Sequence, residues 1–402
     1  MHILIITNYF EPESGAAAVR LTRLAKQLQA HGHQITVLTS LPNYPHGRIY
    51  EGYRRKFVVV RNYDGIRVIY TWLLTTTSPR INRKLISQMS FMLTAILRGI
   101  GLPRPDVFLI EAQPIFTGFA GIALAKLKRT PYVLNISDLW PDHLITVGAL
   151  RQESLIYRIA RRTVDFAYRH AAAIITLSPR WTDIISGYIG ESEKIHTVYN
   201  GVDLERFRPG INTDSFRQKY HLTDKKIISF IGTLATQYNF PAMMKIVHHF
   251  GNRDDVQFVF IGQGSMNEIL EHEKDIHWIR WIDHAEIPQA WNASYLTFWI
   301  MHNQALFQGT IPAKVYEALA CGVPIVAGIE GAGAEIIKQS DAGTTLPPSS
   351  TDDFINTIED MLDDEPRRDT CSIHARQYAE QYFDAQKVTA LYAEILLRVS
   401  RI

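Results

Sequence analysis

Cysteine is scarce in this chain, with only Cys321 and Cys371 among 402 residues. Two cysteines are too few for a disulfide framework, and Cys321 closes a predicted helix as a small apolar residue would. Long apolar runs are absent too, since no stretch of about 18 uncharged apolar residues occurs. The chain passes from Met1 and His2 directly into the strand-like Ile3–Ile6. We therefore expect neither a spanning helix nor a signal peptide, and a cytoplasmic location.

Several catalytic signatures are missing as well. The chain has no G-x-G-x-x-G spacing, which argues against a dinucleotide oxidoreductase, and neither a G-x-S-x-G elbow nor a G-x-x-x-x-G-K-[ST] loop. Its 15 histidines include no H-E-x-x-H or comparable spacing, so we expect no protein-bound metal. Signatures of RNA- or DNA-binding modules are also lacking, and we expect no nucleic-acid partner.

The net charge of +2 conceals an asymmetry between the two halves of the chain. Residues 1–200 contain 24 Lys and Arg against 13 Asp and Glu, which gives +11, whereas residues 201–402 carry −9. A basic half joined to an acidic half indicates a division of labour. The basic half suits an anionic membrane surface or a phosphate-bearing substrate better than a nucleic acid.

Short apolar runs alternate with helical patterns along most of the sequence, and the alternation restarts after residue 212. This pattern predicts an α/β protein with two doubly wound, parallel-sheet domains. We assign residues 1–203 and 213–383 to the two domains and the Gly- and Pro-containing residues 204–212 to a linker. Residues from about 384 to 402 predict a helix that returns to the first domain. Ligands of such folds bind at the carboxyl ends of the strands.

The stretch from Gln308 to Val326 predicts a helix between a loop and a buried strand. Pro312 suits the first turn, Gly322 suits the end, and apolar residues recur every four positions. Lys314 and Glu317 then lie together on the far side of the helix. The N–H groups of the first turn and Lys314 favour a phosphate, while Glu317 can accept hydrogen bonds from sugar hydroxyls. The alternative is an ordinary solvated ion pair.

Three loops that follow predicted strands carry further candidates. Glu13, Ser14 and Gly15 follow the first strand, where they could hold an acceptor or a phosphate or form a plain connecting loop. Asp138 follows Tyr132–Ile136 and is either a ligand-binding carboxylate or a turn residue. Gly262 follows Val256–Ile261 and fits either a nucleotide loop or close packing of helix and strand.

The segment Arg80–Arg98 mixes basic residues with a broad apolar face. Such a helix is typical of membrane-surface binding. The alternative is a crossover helix whose arginines are solvated. The charge of +11 on the first half favours contact with an anionic membrane surface.

The sequence resembles the family 4 retaining glycosyltransferases, which have the GT-B fold. Asn200–Pro209 resembles the N-G-V-D-x-x-x-F-x-P interdomain signature, and Glu317–Val326 resembles the segment after the family's sugar-nucleotide site. Residues 12–15, 30–38 and 331–337 are similar as well, so the resemblance spans nearly the whole chain. Asp138–Pro141 and Pro312–Glu317 resemble a branch that adds sugars to lipid-linked intermediates of bacterial surface polysaccharides of the O-antigen, capsule and colanic-acid types.

This resemblance implies a metal-independent transferase, peripheral at the inner face of the plasma membrane, without a cofactor. Its donor would be a nucleotide sugar, preferably linked to UDP, with an N-acetylamino sugar among the candidates, and its acceptor a lipid-linked saccharide. Asp138, Lys314 and Glu317 would be catalytic, with Glu13, Ser14, Gly15 and Asp138 at the acceptor. The donor would be held by Gly232, Thr233, Gly262, Trp281, Gly309, Thr310, Lys314 and Glu317. Trp281 would lie in the base-binding loop or, alternatively, in the core.

The sequence departs from the family pattern at three positions. Gly309 stands where the first glutamate of the E-x7-E pair is expected, and Ser137 stands where a histidine is common. The usual Arg and Lys after the Gly232 strand are absent, which shifts the charge facing the diphosphate to Lys314. Either this branch recognises a different sugar with a rearranged site, or activity has been lost, as in a catalytically silent GT-B assembly subunit. A separate alternative within the fold is a sugar-nucleotide epimerase. The interdomain signature speaks against the epimerase.

Overall fold

The computed structural model describes residues 1–78, 80–146, 150–303 and 308–402. These residues form two compact units, the first comprising Met1–Tyr199 with Gln386–Ile402 and the second comprising Asn200–Ala385. The segment 204–212, which the sequence assigns to a linker, lies within the second unit. The boundary precedes it because Val202 is hydrogen-bonded within that unit: its N–H donates to the Phe383 carbonyl at 2.7 Å, and the Ala385 N–H donates to its carbonyl at 3.0 Å.

In the part of the chain that the structure describes, the first unit contains an eight-stranded sheet. Its strands are β1 (His2–Ile6), β2 (Gln34–Ser40), β3 (Val58–Tyr63), β4 (Ile66–Thr71), β5 (Val107–Glu111), β6 (Tyr132–Ile136), β7 (Ala173–Thr176) and β8 (Ile195–Thr197). Their order is β3-β4-β2-β1-β5-β6-β7-β8, and only the β3–β4 pair is antiparallel. The central strands are buried on both faces, which explains their nearly continuous apolar sequences.

Helices cover both faces of this sheet. They are α1 (Ala16–Ala30), α2 (Ile81–Ile100), α3 (Ile115–Leu127), α4 (Asp142–Thr146), α5 (Leu155–His170), α6 (Pro179–Ile189) and the last helix of the chain, α15 (Ala385–Ser400). The connections through α2, α3 and α5 advance in the same direction across the sheet. Right-handed crossovers therefore place these three helices on one face. The α15 helix is attached by Tyr392, whose hydroxyl donates to Asn135 Oδ1 at 2.8 Å.

The second unit contains, among its described residues, a six-stranded parallel sheet with the order β11-β10-β9-β12-β13-β14. The strands are β9 (Lys226–Ile231), β10 (Val256–Ile261), β11 (Ile276–Ile279), β12 (Leu296–Ile300), β13 (Ile325–Gly328) and β14 (Gly343–Leu346). The helices are α7 (Asp214–Lys219), α8 (Phe240–His249), α9 (Asn267–Glu271), α10 (Ile287–Ala293), α11 (Ala313–Ala320), α12 (Ala332–Gln339), α13 (Thr351–Asp363) and α14 (Glu365–Tyr382).

The chain order of the second unit reverses direction at β9, the strand that lies between β10 and β12. Such a switch point leaves a crevice outside the carboxyl ends of the two central strands, where open α/β sheets bind ligands. The loop after β9 begins with Gly232 and Thr233, and residues 301–303 follow β12. The topology thus brings the loop at Gly232 to this switch point.

Candidate functional site

Lys314 lies in α11 with its side chain only 6% exposed. The Nζ atom stands 3.4 Å from the ring centroid of Phe230, 4.4 Å from that of Tyr238 and 5.2 Å from that of Trp299. No hydrogen-bond partner of Nζ occurs among the residues that the structure describes. The alternative of a solvated ion pair with Glu317 is therefore wrong. The apolar periodicity predicts that this face of α11 is exposed to solvent, but other parts of the protein bury it.

Burial lowers the pKa of Lys314 well below its ordinary value, and the nearby Glu317 carboxylate opposes this shift. The aromatic rings offset part of the cost of burying an ammonium group, because their faces carry negative charge density. The rings are neutral, however, so they do not supply an anion that would compensate the charge of the buried ammonium. We call Phe230, Tyr238 and Trp299 the aromatic box.

The aromatic box is built from neighbouring elements. Phe230 belongs to β9 and Trp299 to β12, and these strands pair directly. Tyr238 follows the loop after β9, where its ring meets that of Phe230 at a centroid distance of 5.1 Å. The arrangement encloses the Lys314 amine at the switch point of the sheet.

Gly232 lies beside the Lys314 amine. A Cβ atom at Gly232 would stand 3.4 Å from Lys314 Cε and 3.5 Å from Nζ, and the backbone φ of +142° is one that L side chains rarely adopt. The missing side chain leaves space between the backbone turn and the cation. Thr233 follows in the same turn and is exposed.

Gly262 supports this turn from the neighbouring strand. A Cβ atom at Gly262 would lie 2.0 Å from the Gly232 carbonyl oxygen, and the φ of Gly262 is +134°. The Gly262 carbonyl accepts a hydrogen bond from Trp278 Nε1 at 2.8 Å. Close packing of two backbones, both in turns that follow strands, therefore accounts for the glycine at position 262.

Glu317, one turn after Lys314, accepts a hydrogen bond at Oε2 from Trp291 Nε1 at 3.0 Å. Trp291 is fully buried in α10, so its indole fixes the direction of the carboxylate.

Gly309 is buried and Thr310 is half-buried directly before α11. A Cβ atom at Gly331 would lie 2.0 Å from the Gln308 carbonyl oxygen, which places this loop against the start of α12.

Trp281 does not belong to the core, because its side chain is 67% exposed. It lies two residues after β11, where an indole face is available for stacking on a planar ligand. The alternative of a core tryptophan is wrong. Trp278 is the indole that packs at this edge, with the Arg280 guanidinium 4.1 Å from its ring centroid.

In the first unit, the Glu13 carboxylate is buried and holds a neighbouring loop. Its Oε1 atom accepts hydrogen bonds from the backbone N–H groups of Asn43 at 2.6 Å and Tyr44 at 2.8 Å. The Tyr44 ring lies against Gly15, where a Cβ atom would stand 3.0 Å from Cε1. Ser14 between them is exposed. The structure thus ties the Glu13–Gly15 loop to the loop after β2.

Burial raises the pKa of Glu13 to about 7, although the amide hydrogen bonds oppose the shift. The native state therefore binds more protons than the unfolded state between about pH 4.5 and 7. The free energy of unfolding should fall as the pH rises through this window, by up to about 3 kcal/mol. Glu13→Gln keeps a carbonyl acceptor and removes the titration. Urea unfolding at pH 5 and pH 8 should show this variant matching the wild type at pH 5 and exceeding it at pH 8.

The exposed Glu51→Gln substitution is the matched control for this measurement, because it removes a carboxylate without altering a buried one. We expect its stability to follow that of the wild type at both pH values. Parallel pH dependences for Glu13→Gln and the wild type would show that the buried carboxylate does not contribute.

Asp138 is half-buried just beyond β6, next to a polar network that the sequence analysis missed. Arg20 Nη2 donates to Glu111 Oε2 at 2.8 Å and to Ser137 Oγ at 2.9 Å. Asn135 Nδ2 donates to the same Glu111 oxygen at 2.6 Å. A charged residue at the end of the apolar strand β5 was the available signal for Glu111. The network fixes the backbone from which Asp138 projects.

The described residues bring together no group of three or more His, Cys, Asp or Glu side chains able to hold a metal ion. In the described part of the chain, no helix has the length and apolar character required to cross a membrane.

Models of known protein families match both units of the chain. Residues 15–201 match the model of the glycosyl transferase 4-like domain, and residues 212–378 match that of the glycosyl transferases group 1. A GDP-mannose-dependent alpha-mannosyltransferase of Mycobacterium tuberculosis is 23% identical over 86% of this chain and 84% of its own. The UDP-Gal:alpha-D-GlcNAc-diphosphoundecaprenol alpha-1,3-galactosyltransferase of Escherichia coli is 27% identical over 62% of this chain and 64% of its own.

Solved structures resemble the whole chain. Anabaena Alr3699/HepE in complex with UDP-glucose matches with a TM-score of 0.71 and 16% identity, over 99% of this chain and 100% of that one. WaaG, a glycosyltransferase involved in lipopolysaccharide biosynthesis, matches with a TM-score of 0.69 and 14% identity, over 98% and 99% of the two chains. These likenesses confirm the predicted GT-B fold.

Proposed function

Because the chain belongs to the family 4, group 1 glycosyltransferases, we propose that it transfers a sugar from a UDP-linked donor to a lipid-linked saccharide. The proposed pathway is the synthesis of a bacterial surface polysaccharide, with retention of anomeric configuration. The observation that carries the proposal is the buried Lys314 amine beside the space at Gly232. The name of one relative supports the class of acceptor, since it describes a galactosyltransferase of Escherichia coli that acts on a diphosphoundecaprenol-linked sugar.

The donor diphosphate would lie between the turn at Gly232–Thr233 and the loop at Gly309–Thr310. Lys314 would supply the positive charge that stabilises the leaving diphosphate, because an ammonium in a dry site acts more strongly than one in water. Glu317, oriented by the indole of Trp291, would accept hydrogen bonds from the ribose hydroxyls. Trp281 would stack on the base.

Asp138 would bind a hydroxyl of the acceptor at the carboxyl end of β6. The donor phosphate itself would accept the proton of the attacking hydroxyl, so the protein chiefly holds the reactants in position. Glu13 would act through the loop that it fixes, since both amides of that loop bind one of its oxygens. The proposed reaction uses neither a metal nor a cofactor.

A panel of nucleotide sugars tests the proposed function. A donor present at a hundred times its Kd stabilises the native state by about 2.7 kcal/mol, which raises the melting temperature by several degrees. We expect UDP-linked sugars to give the largest shift. The stabilising donor should then release UDP when a lipid-linked saccharide is added. A larger shift with GDP-mannose would reject the uridine assignment, and the absence of a shift with every donor would reject the transferase proposal.

We also propose that the first unit binds the inner face of the plasma membrane through an apolar–basic face. The exposed apolar residues of this face include Ile86, Leu93 and Leu97 on α2, with exposures of 51%, 57% and 73%. Leu155 and Ile156 at the start of α5 are 71% and 67% exposed. Basic side chains flank both groups, namely Arg80, Arg83, Lys84, Arg158 and Arg162. Helices that combine these two properties bind at the interface of anionic membranes.

Replacing Arg80, Arg83 and Lys84 by Gln should weaken binding to anionic vesicles about a hundredfold, at about 1 kcal/mol for each lost charge near the surface. Sedimentation with vesicles containing phosphatidylglycerol measures the change. The wild-type affinity should fall as salt is added, because salt screens exposed charges. The control replaces Lys225, Lys274 and Lys338, exposed lysines of the second unit, and should bind like the wild type. Equal binding by both triple variants would refute the membrane assignment.

A further inference from the structure

Two polar side chains of the second unit, Asn303 and Glu330, meet at the carboxyl edge of its sheet. Asn303 lies three residues after β12, and Glu330 lies two residues after β13. The Asn303 amide donates a hydrogen bond from Nδ2 to Glu330 Oε1 at 2.8 Å. The two strands pair directly, so this bond joins two loops that leave the sheet side by side. We call Asn303 and Glu330 the carboxylate–amide pair.

One side of the pair borders the loop after β9. The His302 N–H, next to Asn303, donates to the Gln237 carbonyl at 2.8 Å. Gln237 precedes Tyr238, whose ring centroid lies 4.4 Å from Lys314 Nζ. The backbone thus holds the segment that carries Asn303 against the edge of the aromatic box.

The other side of the pair borders the loop before α11. Gly331 follows Glu330, and a Cβ atom at Gly331 would lie 2.0 Å from the Gln308 carbonyl oxygen. Gln308 leads directly into Gly309 and Thr310. The pair therefore lies between the loop after β9 and the loop before α11, the two segments that would hold the diphosphate in the proposed function.

The pair is open to a ligand. Asn303 is exposed and Glu330 is half-buried. A carboxylate offers about four lone-pair sites, and among the described residues only the Asn303 side chain donates a hydrogen bond to them. Hydroxyl groups form charge-assisted hydrogen bonds with a carboxylate, and these bonds are stronger than those between neutral groups.

The order of the strands places the pair where the sugar of the donor belongs. Trp281, proposed for the base, follows β11 at one end of the sheet. Gly232, proposed for the diphosphate, follows β9, and β12 and β13 continue beyond it in the same direction. The sugar is bonded to the diphosphate, so a donor that lies along this edge carries its sugar towards Asn303 and Glu330.

We propose that the Glu330 carboxylate binds the donor sugar, accepting hydrogen bonds from its hydroxyl groups or from the N–H of an acetamido group. Asn303 orients this carboxylate. The inference rests on the proposed function and deepens it, because it assigns the sugar end of the donor. A neutral hexose or N-acetylhexosamine fits this site, since a carboxylate accepts hydrogen bonds and repels a second anion.

Calorimetric titration with UDP and four UDP sugars tests the assignment. The sugars are glucose, galactose and their 2-acetamido forms, and the one that binds the wild type most tightly is used for comparison. Glu330→Gln should lower the affinity for this sugar nucleotide about tenfold, the effect of losing a hydrogen bond to a charged group. The affinity for UDP, which lacks the sugar, should remain that of the wild type. If the wild type prefers GDP-mannose, the same comparison uses GDP-mannose and GDP.

Asp254→Asn is the matched control. It removes an exposed carboxylate just before the amino end of β10, at the opposite edge of the sheet. This variant should bind the nucleotide and the sugar nucleotide like the wild type.

The orienting role of Asn303 is tested by a double-mutant cycle. Asn303→Ala should weaken binding of the sugar nucleotide and leave UDP binding unchanged. Because Asn303 acts through Glu330, the double variant should bind the sugar nucleotide no more weakly than Glu330→Gln alone. Additive losses would overturn the orienting role.

Equal affinities of the wild type and Glu330→Gln for the sugar nucleotide, with normal UDP binding, would overturn the inference and leave the proposed function intact. An equal loss for UDP and for the sugar nucleotide would also overturn it, because Glu330 would then not act on the sugar. Failure of the wild type to bind either nucleotide or any of the sugar nucleotides would reject the proposed function, and this inference with it.

Discussion

Replacing Lys314 by Met should raise the stability of the second unit and weaken UDP binding. The substitution removes a buried amine without a hydrogen-bond partner among the described residues, so stability should rise by about 1–3 kcal/mol. Loss of the charge-assisted contact to the diphosphate should cost about 1–3 kcal/mol in UDP affinity. Denaturant unfolding and calorimetric titration measure the two effects. Uridine, which lacks the diphosphate, should bind the variant and the wild type equally.

The same lysine should couple UDP binding to proton uptake. Its pKa in the protein is lowered, so the folded state binds fewer protons than the unfolded state between that pKa and the ordinary value. Stability should therefore rise with pH through this window, whereas UDP affinity should fall because the diphosphate needs the charged form. Titrations in buffers with different ionisation enthalpies detect the proton that is taken up.

Exposed Lys338→Met is the control for both measurements and should change neither stability nor UDP affinity appreciably. If Lys314→Met binds UDP with wild-type affinity, Lys314 is not a diphosphate ligand. If it instead lowers stability, the aromatic box stabilises the cation by more than burial costs.

Gly262→Ala should destabilise the second unit by more than about 3 kcal/mol. The new Cβ atom would lie 2.0 Å from the Gly232 carbonyl oxygen at a φ of +134°. Backbone must move to relieve this contact, and strained substitutions of glycine cost more than the entropy that they save. The displaced residue would be Gly232, which lies beside Lys314, so UDP affinity should fall in any variant protein that remains folded.

Gly210→Ala provides the matched control, because Gly210 also has a positive φ, +77°, but nothing lies within 4 Å of its Cβ position. The free energy of unfolding of this control should fall by only about 1 kcal/mol, which is the cost of the backbone conformation for a residue with a side chain. Urea unfolding compares the two variants. Equal midpoints would show that the backbone contact at Gly262 relaxes without cost.

The sequence was sufficient to predict the parallel sheets and the helix that carries Lys314. Buried parallel strands are continuous apolar runs, and helix ends have local signals such as Pro312 and Gly322. The surroundings of Lys314 could not be predicted in this way. Phe230, Tyr238 and Trp299 are distant from it in sequence, and only the pairing of β9 with β12 brings their rings to its amine.

Two other site residues illustrate the same limit. The position of Glu13 in a loop after a strand was evident, but its partners come from the loop after another strand, thirty residues later. Tryptophan is a residue type common in protein cores, but Trp281 is exposed because it lies beyond the end of β11. Local patterns specify elements, whereas burial and partners depend on how those elements pair.

The backbone hydrogen bonds between Val202 and residues 383 and 385 have a consequence for exchanging parts between homologues. They hold side by side the points at which the chain enters and leaves the second unit. This unit is therefore a single continuous insertion with adjacent ends, whereas the first unit is assembled from both termini. A chimera can receive a foreign second unit through two junctions, near residues 199 and 386. A fragment ending at residue 199 would lack Tyr392, whose hydroxyl binds Asn135 beneath Asp138.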